Sequence, residues 1–207
     1  MGLNWSIVEC SSSQVRFQKQ LYEKVVLPDE DNASSFLQCL RHRKMHQEFS
    51  KMSIKALSLL GDIQRTTIME ILSLCTGINN LTLQSNNNDD DDDIAPLLQV
   101  LNYLPLMVLS LQIEVPLTST SISNVTIFTK LTCLKIDDAD MLQHLEMECF
   151  PQLTHPSLWG SLFHPGVNVP SLVNRLLSHP TLWVLIFCVD CHQHFATFLD
   201  YHRIHNP

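Results

Sequence analysis

Glycine is scarce in this chain, five residues in 207. That leaves little material for the tight turns that cradle phosphate groups, and no Gly-rich phosphate loop can be found. A basic surplus is missing too. Lys and Arg number 13 against 21 Asp and Glu, for a formal charge of −8, so the surface lacks the cationic excess that a nucleic-acid backbone demands. No apolar window approaches the roughly 18 residues of a membrane span. The start MGLNWSIVECSSS offers neither a basic region nor an apolar stretch long enough for a secretory signal. A cytoplasmic or nuclear chain without nucleic-acid or membrane partners is expected. The seven cysteines are an odd number in a chain without a secretory signal, which argues for reduced thiols. G-x-S-x-G and H-E-x-x-H are absent, and no Cys, His and Asp spacing aligns a nucleophile with a base. The composition therefore points away from an enzyme and requires no cofactor.

What the chain does contain is a phrase, Leu-x-x-Leu-x-Leu with apolar substitutes, that recurs seven times. It begins at Tyr22, Ile54, Ile78, Leu106, Leu131, Leu153 and Leu182, with gaps of 32, 24, 28, 25, 22 and 29 residues. Leucine-rich repeats run about 20–29 residues, so five of the six gaps fit that period. The second and third apolar positions of each phrase alternate with small or polar residues, the two-residue period of a half-buried strand. Between phrases the spacing turns helical. Ile68, Ile71, Leu72 and Cys75 share one face, with Gly77 placed as a helix stop. Ile94, Leu97, Leu98 and Leu101 follow the same spacing, with Pro96 near the first turn. Leu142, Leu145 and Cys149 predict a further helix, with Asp137 and Asp138 as candidate caps. Leu172, Val173, Leu176 and Leu177 predict another, ended by Pro180, and Phe195, Phe198, Leu199 and His202 a last one.

Strand and helix thus alternate, the pattern of a parallel sheet with helices on one face. The fold class expected is α/β, a leucine-rich-repeat solenoid. Its curved parallel sheet would carry helices and irregular segments on the convex side, because no single repeat can bury its own apolar face. Residues 113–128 are rich in Ser, Thr and β-branched residues and are expected to be extended or irregular. Pro156 removes a ladder hydrogen bond and predicts a bulge in the sixth strand. Residues 159–170 read as a loop, and residues 85–93 (SNNNDDDDD) as a solvated excursion. Residues 34–41 predict a helix, and 41–49 (RHRKMHQEF) is locally basic. The organisation expected is an N-terminal helical cap with the first strand over 1–49 and one repeat domain over 50–207.

At LYEKVVL (21–27) and SSFLQCLR (34–41), followed by successive short leucine strands, the chain resembles the part just after the F-box in fungal F-box-like proteins with leucine-rich repeats. ILSLCTGINNLTLQ (71–84) and CFPQLTHPSL (149–158) are similar to repeat units of mushroom proteins of that kind. The resemblance covers about residues 15–205. It implies non-enzymatic protein recognition, as the substrate-holding part of a ubiquitin-ligase adaptor in which the F-box docks a Skp-type adaptor. Residues 1–20 are too short for an F-box and lack its early Leu-Pro pair, so contact with a Skp-type adaptor does not follow from the resemblance. A shortened paralogue with little binding activity is an alternative.

The expected binding surface is the concave face, formed by the residues that alternate with the core leucines. Its candidates are Asn80, Thr82, Gln84, Ser110, Gln112, Lys135, Asp137, His155, Trp159, Val184 and Ile186, with a protein of unknown identity as partner. The middle of this set is small and polar. Trp159, Val184 and Ile186 would form either an apolar anchor or a surface covered by residues 160–170 or 200–207. A weaker candidate is metal binding by Cys188, Cys191, His192 and His194, with His202 and His205 nearby. Thiolate and imidazole suit tetrahedral zinc, but a single C-x-x-C pair falls short of a complete ligand set. The run Asp89–Asp93 lacks the ordered spacing of a calcium loop.

Overall fold

The leucine phrases become strands because large aliphatic side chains recur every second residue and leave small or polar ones to face the other way. The computed structural model describes residues 21–43, 45–85, 94–113, 125–136, 146–159 and 168–188. Within them lie seven strands: β1 (Lys24–Leu27), β2 (Ala56–Leu59), β3 (Asn80–Ser85), β4 (Val108–Ile113), β5 (Cys133–Ile136), β6 (His155–Trp159) and β7 (Ile186–Cys188). They form one open sheet in chain order, and every neighbouring pair is parallel. The register aligns equivalent phrase positions: Leu57, Leu81, Leu109 and Leu134 lie side by side, as do Leu59, Leu83, Leu111 and Ile136. Ile54, Ile78, Leu106, Leu131 and Leu153 stand just before their strands as a third buried row. Each fully buried leucine contributes roughly 1.5–3 kcal/mol.

The approach to each strand repeats one hydrogen-bond device. The carbonyl of Glu23 accepts the N–H groups of both Lys55 and Ala56, at 3.0 and 2.9 Å. Lys55, Asn79, Met107, Thr132 and Thr154 do the same for the next pair of N–H groups along the chain. The stair ends where the Thr154 carbonyl accepts from Trp183 and Val184 at 3.0 and 3.1 Å.

The bulge expected at Pro156 is not there. Cys133, Leu134, Lys135 and Ile136 face His155, Pro156, Ser157 and Leu158 one to one, and Pro156 is buried on the core side. The physical reason lies in the alternation of a parallel ladder. The N–H of His155 points to β5, where it meets the Thr132 carbonyl, so the missing donor of Pro156 falls on the β7 side. There it costs pairing: β7 starts only at Ile186, opposite Ser157, while Val184 and Leu185 precede it outside the ladder.

The segments returning between strands differ along the chain. After β1 come α1 (Glu30–Arg41) and α2 (His46–Ser53). Asp29 caps α1 by accepting from Asn32 N at 2.8 Å, and Ala33, Phe36, Leu37 and Leu40 bury one face. After β2 comes α3 (Arg65–Leu74), with Thr67, Ile68, Ile71 and Leu72 buried. After β3 comes α4 (Ala95–Asn102), with a proline in its first turn and Leu97, Leu98 and Leu101 buried. The two returns that follow are described only as short 3₁₀ helices, Thr126–Lys130 and Met147–Cys149. Each delivers one phenylalanine to the core, and Phe128 and Phe150 meet edge to face at 5.5 Å. The α-helical stripe expected through Cys149 is therefore a 3₁₀ turn where it is described; Asp137, Asp138, Leu142 and Leu145 lie outside the described residues. The irregular region expected over 113–128 ends in the other 3₁₀ helix, and residues 114–124 lie outside the description. The last return carries α5 (Val169–Leu177), capped by Asn168 accepting from Ser171 N at 3.1 Å. Residues 160–167 of the expected loop, residues 86–93 of the acidic run and the stripe from Phe195 to His202 all lie outside the described residues.

Side chains and one close backbone approach tie the helices together. The Glu30 carboxylate accepts from Thr67 Oγ1 at 2.7 Å, Gln64 N at 2.8 Å and Ser34 Oγ at 3.0 Å. Burial pushes its pKa up, and the bonds from Thr67, Gln64 and Ser34 outweigh that and hold it below the ordinary value. Gly77 is not the stop of α3, which ends at Leu74 with Cys75 as its cap. Its role is closeness: a Cβ there would lie 1.9 Å from the Lys51 carbonyl oxygen at the end of α2.

Candidate functional site

Because the leucines and helices occupy one side of the sheet, its other side presents the alternate residues in rows. In register, one row runs Lys24, Ala56, Asn80, Val108, Cys133 and His155, with Val184 next along the chain direction. A second runs Val26, Ser58, Thr82, Ser110, Lys135, Ser157 and Ile186. Neighbours within a row are spaced by the strand separation of about 4.8 Å. Gln84 and Gln112 pair across β3 and β4 beyond the second row.

The middle of this face is polar. Asn80 and Gln112 are exposed, and Thr82, Gln84, Lys135 and His155 are half-buried. Ser110 departs from the exposed contact expected of it. It is 8 % exposed, because a short side chain between Thr82 and Lys135 forms the floor of the face and its longer neighbours form the relief. The Thr154 hydroxyl lies 2.7 Å from His155 Nδ1, leaving Nε2 as the nitrogen available to a partner.

At the β7 end the face turns apolar. Val184 is 43 % exposed and Ile186 42 %. Beside them Trp183, 80 % exposed, places its ring 6.4 Å from that of His155 in a tilted arrangement. Trp183 is not among the residues singled out from sequence. It sits one place after the first apolar position of its phrase, where Lys55, Asn79 and Met107 sit in theirs, and Met107 is exposed as well. That shared offset is the signal by which it can be found. Trp159 closes β6 and Cys188 closes β7, opposite one another, with both side chains outside the described part. Asp137 and the remaining metal candidates, Cys191, His192, His194, His202 and His205, lie outside the described residues. Among the described residues no group of three or more His, Cys, Asp or Glu is placed to hold a metal ion.

Cys39, Cys75, Cys133 and Cys149 are free thiols. Burial pushes the Cys75 pKa up to about 12. Burial also raises that of Cys149, assisted by the negative charges of Glu146 and Glu148. Both shifts disfavour the thiolate that nucleophilic chemistry needs. Among the described residues, no helix is long and apolar enough to cross a membrane.

No family model matches the chain, and no curated protein matches it.

Proposed function

We propose that this chain is a leucine-rich-repeat solenoid that recognises a protein partner without catalysis, through the outward face of its sheet. The observation that carries the reading is the composition of that face. A row of small and polar side chains leads into exposed Trp183, Val184 and Ile186, and exposed aromatic residues next to a hydrogen-bonding rim supply most of the binding energy at protein interfaces. The stack of equivalent leucines in register supports the solenoid, since each phrase buries its apolar row only against its neighbours. In the narrower form of the proposal the chain is the substrate-holding part of a ubiquitin-ligase adaptor. That form rests on the resemblance at residues 21–41, 71–84 and 149–158.

The test is quantitative capture from native extract by the whole chain and by its Trp183→Ser and Ile186→Asp variants. Proteins retained by the wild type and lost to both variants, at unchanged Tm, are the expected result. Identical retention by all three would remove the outward face as the binding surface. Co-purification of a Skp-type adaptor would support the ligase form, and its consistent absence would leave recognition alone.

A further inference from the structure

Amide side chains stand together in the middle of the outward face, Asn80 and Gln84 on β3 and Gln112 on β4. Gln84 and Gln112 are register neighbours, about 4.8 Å apart across the sheet. Asn80 stands four residues before Gln84 and therefore on the same side of its strand. Asn80 and Gln112 are exposed, and Gln84 and Thr82 half-buried. Among the described residues, none of these three amides nor the Thr82 hydroxyl bonds to protein, although two of the amides are adjacent. The same two strands put no charged side chain on this face, where they present Asn80, Thr82, Gln84, Val108, Ser110 and Gln112.

A side-chain amide holds a donor and an acceptor in one plane, the same pair that a peptide unit offers. A helix uses its own N–H and C=O groups internally, and an interior strand uses them on its neighbours. An extended segment arrives with those groups open, so it is the form of chain that unbonded amides complement. Charge selects in the same direction. A charged side chain set down on neutral amides would lose hydration without gaining a counter-ion, so the segment that fits β3 and β4 is uncharged there. Distance then sets its length. From β4 to β7 is three strand separations and from β3 four, about 14 and 19 Å. An extended chain covers those spans in about four and six residues, at about 3.3 Å each. One such chain laid across the strands reaches both the amides and the exposed apolar group at the β7 end, Trp183, Val184 and Ile186.

We infer that the outward face takes an extended peptide segment of roughly eight residues. Its backbone is hydrogen-bonded by Asn80, Gln84 and Gln112, and one large apolar side chain is seated against Trp183, Val184 and Ile186. This rests on the outward face being the recognition surface, and it adds what is recognised there, a peptide backbone with one anchor in place of a folded surface. Different sequences share the site provided that they keep the anchor and leave the stretch over β3 and β4 uncharged.

The probe is a phage-displayed library of random linear dodecapeptides, selected on the immobilised full chain and counter-selected on its Ile186→Asp variant. Enrichment is expected of peptides with one large apolar residue placed about four to six residues from an uncharged stretch. The most enriched peptide is then labelled with fluorescein, titrated with the full chain and read by anisotropy. N-methylation of a backbone amide in the uncharged stretch should weaken binding about tenfold, whereas alanine at the same positions should change it less than about threefold. Gln112→Ala and Asn80→Ala should each weaken it about fivefold at unchanged Tm, since both side chains are exposed. Enriched peptides with apolar residues at i, i+3 and i+4, the pattern of a docked helix, would overturn the proposal. So would insensitivity to N-methylation, or equal binding by the Ile186→Asp chain. A library that yields no enrichment overturns it as well. If extract proteins are then still lost to the Trp183→Ser and Ile186→Asp variants, the face recognises a folded surface and the broader reading stands without this one.

Discussion

From β1 to β4 the sheet is backed by α-helices, and from β4 to β6 the described backing is two 3₁₀ turns, although the strands hardly differ between the two regions. Leucine or isoleucine fills most of the same positions in both, with Val25 in β1 and Pro156 in β6 as exceptions, and the stair of shared carbonyls runs through both without a break. What changes is how the other side of the core is closed. Helix α3 spreads the task over Thr67, Ile68, Ile71 and Leu72, whereas the described 3₁₀ turns rest it on one ring and one partner each, Phe128 with Ile127 and Phe150 with Met147. The strand side of a repeat is therefore set by geometry, and the return side by volume, which a large ring with one apolar partner can supply as well as several aliphatic chains.

That contrast predicts unequal sensitivity. Phe150→Ala should destabilise by about 4 kcal/mol, more than Ile71→Ala at about 3 kcal/mol, because the ring leaves the larger cavity. Denaturant midpoints of the two variants, compared at equal m, check it; a larger effect at Ile71 would erase the distinction between the regions. Next in size is Gly77→Ala, expected to cost about 3 kcal/mol as the new methyl forces α2 away from β3. Chemical denaturation with near-wild-type circular dichroism would confirm a local displacement.

Glu30→Gln should cost about 1–2 kcal/mol by weakening two charge-assisted bonds to the start of α3, from Thr67 and Gln64, and one within α1, from Ser34. The sign of its pH dependence follows from the lowered pKa. The carboxylate contributes stability that is present above the unfolded-state value and is lost as pH falls through the lower folded value. Acid titration of stability should accordingly fall less steeply in the Gln variant over that window. Smallest of all, Trp183→Ser should change Tm by the equivalent of less than about 0.5 kcal/mol. A large loss there would show that this end of the sheet is core and not surface.

The strands were legible because their signal is dense. Two or three large aliphatic residues at fixed offsets recur in each phrase, and all seven phrases lead into parallel strands. Helices α3 and α4 are legible for the same reason, with three or four apolar residues on one face; in α5 the expected stripe holds at Leu172 and Leu176, while Leu177 is exposed. The 3₁₀ turns are not, since two buried side chains per turn leave no period to detect. Neither the unbroken register at Pro156 nor the purpose of Gly77 could be read from the chain. The first depends on which neighbour an N–H would have faced, and the second on a carbonyl 26 residues earlier. On the outward face, the rows are visible in the alternation; the burial of Ser110 is not, because exposure depends on the neighbours' lengths, and Trp183 stands just outside the alternating set.

The shared carbonyls give the molecule a grammar of succession. Each one answers to the residues that open the following rung, so the entry to every rung is set by its predecessor. Duplicating or excising a whole rung, from one such carbonyl to the next, leaves the succession of shared carbonyls intact. Length is thereby an easily adjusted variable of this architecture, open to change in steps of one rung while the chemistry at either extremity is kept.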